Sequence, residues 1–482
     1  MAFIMSWREN GDGDGAADAS GRLARFRHEL YLSLGMRRDV LFEACDAALC
    51  KPGRVLMLAE LSLEPECRRG HGAVYDALNR GEVRIARLRR ALAALPLRAW
   101  PDGRIRLAVD VSSWLRPDAG TSPGRSFCHC YGRGKSSAQM IPGWPYSLVA
   151  ALEPGRTSWT LPLDAVRLSP GDDLAAVTAA QVRDVVTRLI AAGHWKDGDP
   201  AVMVIFDAGY EPARLAWLLR DLPVQVTGRL GTNRVLRLPP PPRQPGQTGR
   251  PVKHGPEVRL AADAARPEPD AETSTVTSRY GTAVAVSWNR AHPKLKARGA
   301  WAGHQGALPV IEGTLIRLSV DHLPHEREPK PVWLWTSRPD ADAAEADLCW
   351  QAFLRRFDLE HTFRFLKQAL GWTRPKLREP AAADRWTWLV IAAFAQLHLA
   401  RGLAADHRLP WHQPCRPGRL TPARVRRGFR ALHRTLPVLT AAPKPGRPGP
   451  GRPPGAKNRR PAVRYDIGKP AKDFETASSA AA

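Results

Sequence analysis

The feature that most constrains the fold is a short apolar run at residues 201–206, which Asp207 follows directly. The run shows no alternation of polar and apolar residues, as is typical of a strand that is buried on both faces. Such a strand needs a covering layer on each side. The run therefore predicts a sheet with helices packed against it.

The segments on either side of this run extend the pattern to an α/β order. Alternating and β-branched residues predict a strand at 105–114, and the Gly and Pro turns that follow predict a hairpin or three-stranded meander up to about residue 166. Apolar spacing predicts helices at 174–192 and 213–222, and a strand at 224–230. We therefore predict a mixed sheet covered by helices.

Shifts in composition divide the chain into six segments. They are a disordered N-terminus (1–20), a helical DNA-binding region (21–99), the first part of the α/β core (100–230), a β-rich insertion with a Pro- and Arg-rich loop (231–343), the second part of the core (344–405) and a basic disordered tail (406–482). Within the helical region, arginines at 84, 87, 89 and 90 fit either a grip on DNA or a solvated helix face.

The charge balance indicates a polyanionic partner. The 482 residues contain 72 Lys and Arg against 47 Asp and Glu, a net charge of +25. Nucleic acid is the commonest such partner, because a basic surface gains affinity by releasing counterions from phosphates. An anionic membrane is the rival, but no apolar stretch approaches the roughly 20 residues of a spanning helix.

The N-terminus and the cysteines favour a cytoplasmic protein. The abundance of Ala, Arg and Pro suggests a GC-rich bacterial genome, and the predicted DNA partner would make the protein nucleoid-associated. The N-terminus lacks the basic start and apolar core of a secretory signal, and the seven cysteines lack paired spacing, so they are expected to be reduced thiols.

In the tail, Gly-Arg-Pro cores place Arg447 and Arg452 in a context that resembles the AT-hook, whose arginine enters the minor groove. A nonspecific basic tail explains them equally well.

Two acidic residues lie where a charge is costly. Asp110 lies inside the predicted strand at 105–114, and Asp207 ends the apolar run. A carboxylate at such a place requires a compensating partner. Each alone is most simply a hydrogen-bonded polar residue of a strand, but the two together favour a functional site.

A third carboxylate, Glu360, lies on a helix predicted over 344–370, with Arg356 and Arg364 four residues away on either side. This spacing also fits an ordinary ladder of salt bridges. The many apolar residues of the helix, however, predict close packing on the sheet, which would bring Glu360 to the edge that carries the two aspartates. Three carboxylates suit Mg²⁺ or Mn²⁺ in two-metal phosphoryl transfer.

The order Asp110, Asp207 and Glu360 on strand, strand and helix resembles that of DDE transposases with an RNase H-like core, in which the last acid follows an inserted β domain. The resemblance covers about residues 100–400. It implies metal-dependent cleavage of DNA and strand transfer of an insertion sequence, with the three acids as catalytic residues that hold two Mg²⁺ or Mn²⁺ ions. Double-stranded DNA, as element ends and as target, is the implied partner, in a homodimeric synaptic complex like that of similar enzymes.

A second resemblance is more specific. Phe353, Arg356, Glu360 and Lys367 match the spacing Y-x2-R-x3-E-x6-K of the insertion-sequence transposases with that signature, except that Phe replaces Tyr. The resemblance implies DNA-binding roles for Phe353, Arg356 and Lys367. The side chains of Arg356 and Lys367 would bind phosphates.

An aromatic residue of the inserted β domain stacks on a flipped base in similar enzymes. Trp333 and Trp335 are the candidates here, although both lie on a predicted strand where core packing is the competing interpretation.

Three other functions compete with a transposase. A transposase-derived DNA-binding protein would no longer cut, which the three intact acids disfavour. A two-metal nuclease would need neither the long insertion nor the Arg356–Lys367 spacing. A structural nucleoid protein would explain the charge and leave the carboxylates without a purpose.

Overall fold

A computed structural model describes residues 16–131, 138–246, 248–261, 266–323, 328–415, 419–444 and 461–469. These residues form a large mixed sheet and a layer of helices. The strands are β1 (Arg106–Leu115), β2 (Ser126–Tyr131), β3 (Ala138–Leu152), β4 (Thr160–Arg167), β5 (Val202–Phe206), β6 (Val224–Leu230), β7 (Val235–Arg237), β8 (Glu257–Arg259), β9 (Ala271–Thr277), β10 (Gly281–Ala291), β11 (Gly313–Val320) and β12 (Val332–Thr336). The helices are α1 (Ala16–Ser33), α2 (Arg38–Cys50), α3 (Leu58–Leu61), α4 (His71–Arg80), α5 (Ile85–Ala93), α6 (Leu174–Ala191), α7 (Pro212–Leu218), α8 (Ala343–Arg355), α9 (Phe357–Gln368), α10 (Pro380–Ala400) and α11 (Pro422–His433).

The apolar run becomes β5, at the centre of the sheet. Its five residues are fully buried, and it lies between β1 and β6, both parallel to it. On the other side of β1, β3 and β4 continue the sheet in antiparallel fashion. The order β4-β3-β1-β5-β6 is RNase H-like, and it confirms the predicted mixed α/β fold.

The β-rich insertion extends this sheet. Strand β12 pairs with β6, and β11, β10 and β9 follow outward in antiparallel order. Helix α8 packs on β9 and β10, so the insertion and the second part of the core share contacts. A separate apolar cluster, which contains three tryptophans, supports this end of the sheet.

The N-terminal helices share the core of the sheet. Helices α1, α2 and α4 contact the largely buried helix α10, and one cluster of buried residues runs from Leu23 to Leu436. Two arginines of α5 have acidic partners: Arg87 bonds Glu29, and Arg89 bonds the buried Asp164 at 2.9 Å. None of the helices among the described residues combines the length and the apolar character that crossing a membrane requires.

The basic C-terminal segment differs from the prediction. It was expected to be disordered from residue 406, but α11 forms within it and packs on α2 and α10. Val425 and Phe429 lie four residues apart and are fully buried. The buried Arg426 donates to the carbonyls of Ala48 and Lys51, at the C-terminal end of α2, where a cation is favourable. Arg447 and Arg452 lie outside the described residues.

Candidate active site

The pairing of β1 with β5 brings two predicted acids together. Val109 of β1 is paired with Phe206 of β5, and these strands are parallel. The residues that follow, Asp110 and Asp207, are therefore neighbours at the same edge of the sheet. Asp110 lies within β1, which continues beyond this edge, and Asp207 comes directly after β5.

The helical segment at 343–368 brings the third acid to the same edge. The single helix predicted over 344–370 is two consecutive helices, α8 and α9, with Arg356 at the junction. Helix α9 packs against β1, β3 and β4. Glu360 lies in the first turn of α9, where a carboxylate is favourable because of the helix dipole.

Arg356 is the centre of the site, because its guanidinium contacts all three carboxylates. Nη1 lies 2.7 Å from Asp110 Oδ2, and Nη2 lies 3.3 Å from Asp207 Oδ2 and 3.1 Å from Glu360 Oε1. The arginine side chain is 3% exposed, whereas the carboxylates of Asp110, Asp207 and Glu360 are 21%, 34% and 46% exposed. The acids thus have the buried cation on one side and solvent on the other. We call this arrangement the carboxylate clamp.

Burial dominates the electrostatics of the innermost acid. It raises the pKa of Asp110 to about 6, although the charge of Arg356 and a hydrogen bond from the Val111 amide act in the opposite direction. The neighbouring charges of Asp207 and Glu360 raise it further. A cation bound beside Asp110 would favour its ionised form against the cost of burial.

The donor set fits divalent metal ions. Three carboxylates provide the hard oxygen ligands that Mg²⁺ and Mn²⁺ prefer. Asp207 Oδ1 is buried and accepts no hydrogen bond from the described residues; the Arg229 guanidinium is 3.9 Å away. The oxygens of the three acids do not all lie within 4.8 Å of one another, because the guanidinium lies among them.

The chain matches a known enzyme family over more than half of its 482 residues. Residues 29–294 match the family described as DDE superfamily endonuclease. The chain belongs to this family. Its membership gives the protein a nuclease- or transposase-type function with DNA as the substrate, and enzymes of the superfamily generally use divalent metals. No curated protein matches the chain with significance.

The family match covers only part of the carboxylate clamp. Asp110 and Asp207 lie inside the matched residues 29–294, whereas Arg356 and Glu360 lie beyond them. The connection of Glu360 to the other two acids therefore depends on the contacts that Arg356 makes.

Phe353 and Lys367, the remaining positions of the predicted signature, flank the clamp. Phe353 is buried, and the Arg356 guanidinium carbon lies 5.8 Å from its ring centre, so the phenylalanine packs beneath the arginine. Lys367 Nζ lies 5.8 Å from the ring centre of Trp372. Burial lowers the pKa of Lys367, while Cys130, Cys128 and Asp110 act in the opposite direction.

The two predicted base-stacking tryptophans lie in the core. Trp333 is 3% exposed with its ring centre 5.9 Å from that of Trp288, and Trp335 is 1% exposed with its indole donating to the Ala291 carbonyl at 2.8 Å. Neither ring has a face open to a flipped base, which contradicts the stacking role. Both tryptophans pack in the core because β12 lies inside the extended sheet, between β6 and β11.

Two residues near the clamp were not among the predicted site residues. Arg229 on β6 approaches Asp207, and the signal would have been its place on the strand next to the one that Asp207 ends. Tyr210 lies three residues after Asp207 and is buried, and its hydroxyl has no hydrogen-bond partner among the described residues. Burial, followed by the charge of Asp110, raises the pKa of Tyr210, which therefore stays a neutral neighbour of the site.

Proposed function

We propose that this DDE endonuclease is the transposase of an insertion sequence, which cleaves DNA at the element ends and transfers the cut strand to target DNA. The observation that carries the proposal is the convergence of Asp110, Asp207 and Glu360 on one buried guanidinium. The net charge of +25 supports DNA as the partner.

Each acid has a defined part in the proposed reaction. Asp110, Asp207 and Glu360 would hold two Mg²⁺ or Mn²⁺ ions. When bound, the ions would supply an activated water or 3′-hydroxyl and stabilise the leaving oxygen. In the first step water attacks a phosphodiester, which breaks the bond to the 3′-oxygen and frees a 3′-hydroxyl. In the second step this hydroxyl attacks a phosphodiester of the target, and the displaced 3′-oxygen leaves.

Arg356 acts as a positioning residue in this proposal. Its Nη1 and Nη2 atoms hold the carboxylates at one edge of the sheet before any cation arrives. Contact with a DNA phosphate, the role implied by the resemblance, would require the guanidinium to leave at least one carboxylate. Lys367, on the same helix, would provide a second phosphate contact as a point charge.

A two-metal nuclease is the nearest alternative, because it would use the same three carboxylates. The two functions differ in the second step, since only a transposase joins a 3′-hydroxyl end to another DNA. A DNA-binding protein without cleavage activity would perform neither step.

The test uses two substrates with the purified full-length protein. The first is DNA with the sequences that flank the gene, incubated with Mg²⁺ or with a chelator. The second is the same end already cut to a 3′-hydroxyl, incubated with a target plasmid. The matched pair of variants is Asp207→Asn and Asp197→Asn, because Asp197 is an exposed acid in the loop before β5, at the opposite edge of the sheet.

We expect metal-dependent nicking at the element boundary of the first substrate, and joining of the precut end of the second substrate to the target plasmid. Both reactions should be lost in Asp207→Asn and retained in Asp197→Asn. Cleavage without joining would identify a nuclease. Equal DNA binding by wild type and both variants without any cut, under Mg²⁺ or Mn²⁺, would refute the enzymatic function.

A further inference from the structure

A second cluster of metal-ligating side chains lies outside the carboxylate clamp, among the helices. Cys50 is the last residue of α2, Glu66 lies in the loop between α3 and α4, and His433 is the last residue of α11. Each offers one ligand atom, and these three atoms lie within 4.8 Å of one another. One divalent ion can therefore contact all three after small side-chain adjustments.

The thiol of Cys50 is buried beside the other two ligands. Cys50 is 5% exposed, and its sulfur lies within 4.8 Å of the ligand atoms of Glu66 and His433. A bound metal ion would replace the thiol proton, because a metal binds the thiolate.

His433 has a carboxylate partner of the kind that metal-bound histidines commonly have. Its Nε2 lies 3.1 Å from Asp46 Oδ2, and Asp46 is held in turn by the buried Arg27 at 2.6 Å. A carboxylate partner of this kind keeps the proton on one ring nitrogen and leaves the lone pair of the other free for a metal. For His433 the free lone pair would be on Nδ1.

Glu66 is oriented by Arg430, one turn before His433 on α11. Arg430 Nε lies 3.1 Å from Oε1, and its Nη2 lies 3.1 Å from Oε2. The arginine reduces the negative charge of this ligand, but a carboxylate has further lone pairs and accepts both a guanidinium and a metal. Arg430 also bonds Glu64, so the arginine is shared between two acids.

The geometry points to a zinc site formed by Cys50, Glu66 and His433. A thiolate, an imidazole and a carboxylate are ligands that Zn²⁺ combines, whereas Mg²⁺ disfavours sulfur and nitrogen. Water would complete the tetrahedron. Because the ligands come from α2, the α3–α4 loop and α11, the ion would clamp the C-terminal helix onto the N-terminal helices. This inference does not depend on the proposed transposase activity.

The test measures metal binding directly with the full-length protein. Metal-free protein is loaded with Zn²⁺ and dialysed against excess Mg²⁺, which occupies oxygen-only sites, and the bound zinc is counted by elemental analysis. Co²⁺ then serves as a spectroscopic probe, because a cobalt–thiolate bond gives a charge-transfer band in the near ultraviolet. The variants are Cys50→Ser and His433→Gln, and their controls are Cys415→Ser and His412→Gln, which lie in the loop before α11.

We expect one zinc per chain and a cobalt–thiolate band in wild type, in both controls and in Asp207→Asn. Both features should be lost in Cys50→Ser and at least tenfold weaker in His433→Gln. Absence of the band in folded wild-type protein would overturn the inference, and this readout does not rely on any variant folding. Retention of zinc and band in Cys50→Ser would overturn it as well.

Discussion

Replacement of Arg356 by methionine should destabilise the protein when neither Mg²⁺ nor Mn²⁺ is present. Methionine keeps much of the aliphatic volume and removes the one cation that contacts Asp110, Asp207 and Glu360 together. The three carboxylates would then repel one another. Because Arg356 itself is buried, water cannot take its place without rearrangement.

The contacts set the size of the effect. Loss of one partner from a buried ion pair costs about 3–5 kcal/mol. Asp110 is the most buried of the acids and Glu360 is nearly half exposed, so solvent screens part of the repulsion and the lower value, about 3 kcal/mol, applies. With an unfolding entropy of about 2.1 cal/mol/K per residue, a cooperative unit of 482 residues should lose about 3 °C in melting temperature.

Thermal unfolding with and without Mg²⁺ measures this effect. In the variant no guanidinium contacts the three carboxylates, so their negative charge is uncompensated when the ions bind. At a concentration of about 100 times Kd they should therefore restore about 2.7 kcal/mol. In wild type the guanidinium already compensates part of this negative charge, so the gain should be smaller. Arg364→Met, an exposed position on the same helix, is the matched control and should change stability by less than about 0.5 kcal/mol.

Two results would refute this reasoning. The first is an Arg356→Met protein that melts at the wild-type temperature without divalent ions. The second is an equal gain from Mg²⁺ in wild type and variant, which would mean that the guanidinium and the metal ions do not compete for the same charges.

Three further predictions concern Asp110, the β-rich insertion and the basic tail. Asp110→Asn should be more stable than wild type by about 3 kcal/mol at pH 7, because the pKa of Asp110 is about 6 in the folded protein and 3.8 ordinarily. The wild type therefore loses stability as the pH rises between these two values, and the free energies of unfolding of the two proteins should become equal below about pH 4. Denaturant titrations measure this, and a difference that does not change with pH would contradict it. Trp335→Ala should cost about 3–5 kcal/mol of stability, because it leaves a cavity in the sheet end; a stable variant with weakened DNA binding would instead support the stacking role. The double variant Arg447→Ala and Arg452→Ala should lower the salt slope of DNA binding by up to about 2 without changing stability, and an unchanged slope would show that neither arginine contacts phosphate.

Local sequence patterns were sufficient for the centre of the sheet and for two of the acids. The unbroken apolar run predicted β5 as a strand covered on both faces, and the structure confirms this. Asp110 and Asp207 were identified because a carboxylate beside such strands is costly. Short-range patterns predict these features because both the period of a strand and the cost of a buried charge depend on residues that are adjacent in the sequence.

The same patterns misjudged segments whose environment depends on distant residues. The arginine-rich segment at 422–433 was predicted to be disordered, yet it forms α11, because α2 and α10 cover Val425 and Phe429 and the end of α2 accepts Arg426. Tryptophans such as Trp333 and Trp335 are found both in protein cores and on surfaces that stack on bases. Their burial was decided by the neighbouring strands of the insertion.

By itself, the sequence determined the α/β class, the strand that organises the sheet and the residue types that suit divalent metals and DNA. Only the tertiary structure decided that Arg356 lies among three carboxylates, and that Cys50, Glu66 and His433 meet although they are separated by up to 383 positions. The physical reason is that a side chain's charge is set by its own chemistry, whereas its burial and its partners are set by segments that only folding brings into contact.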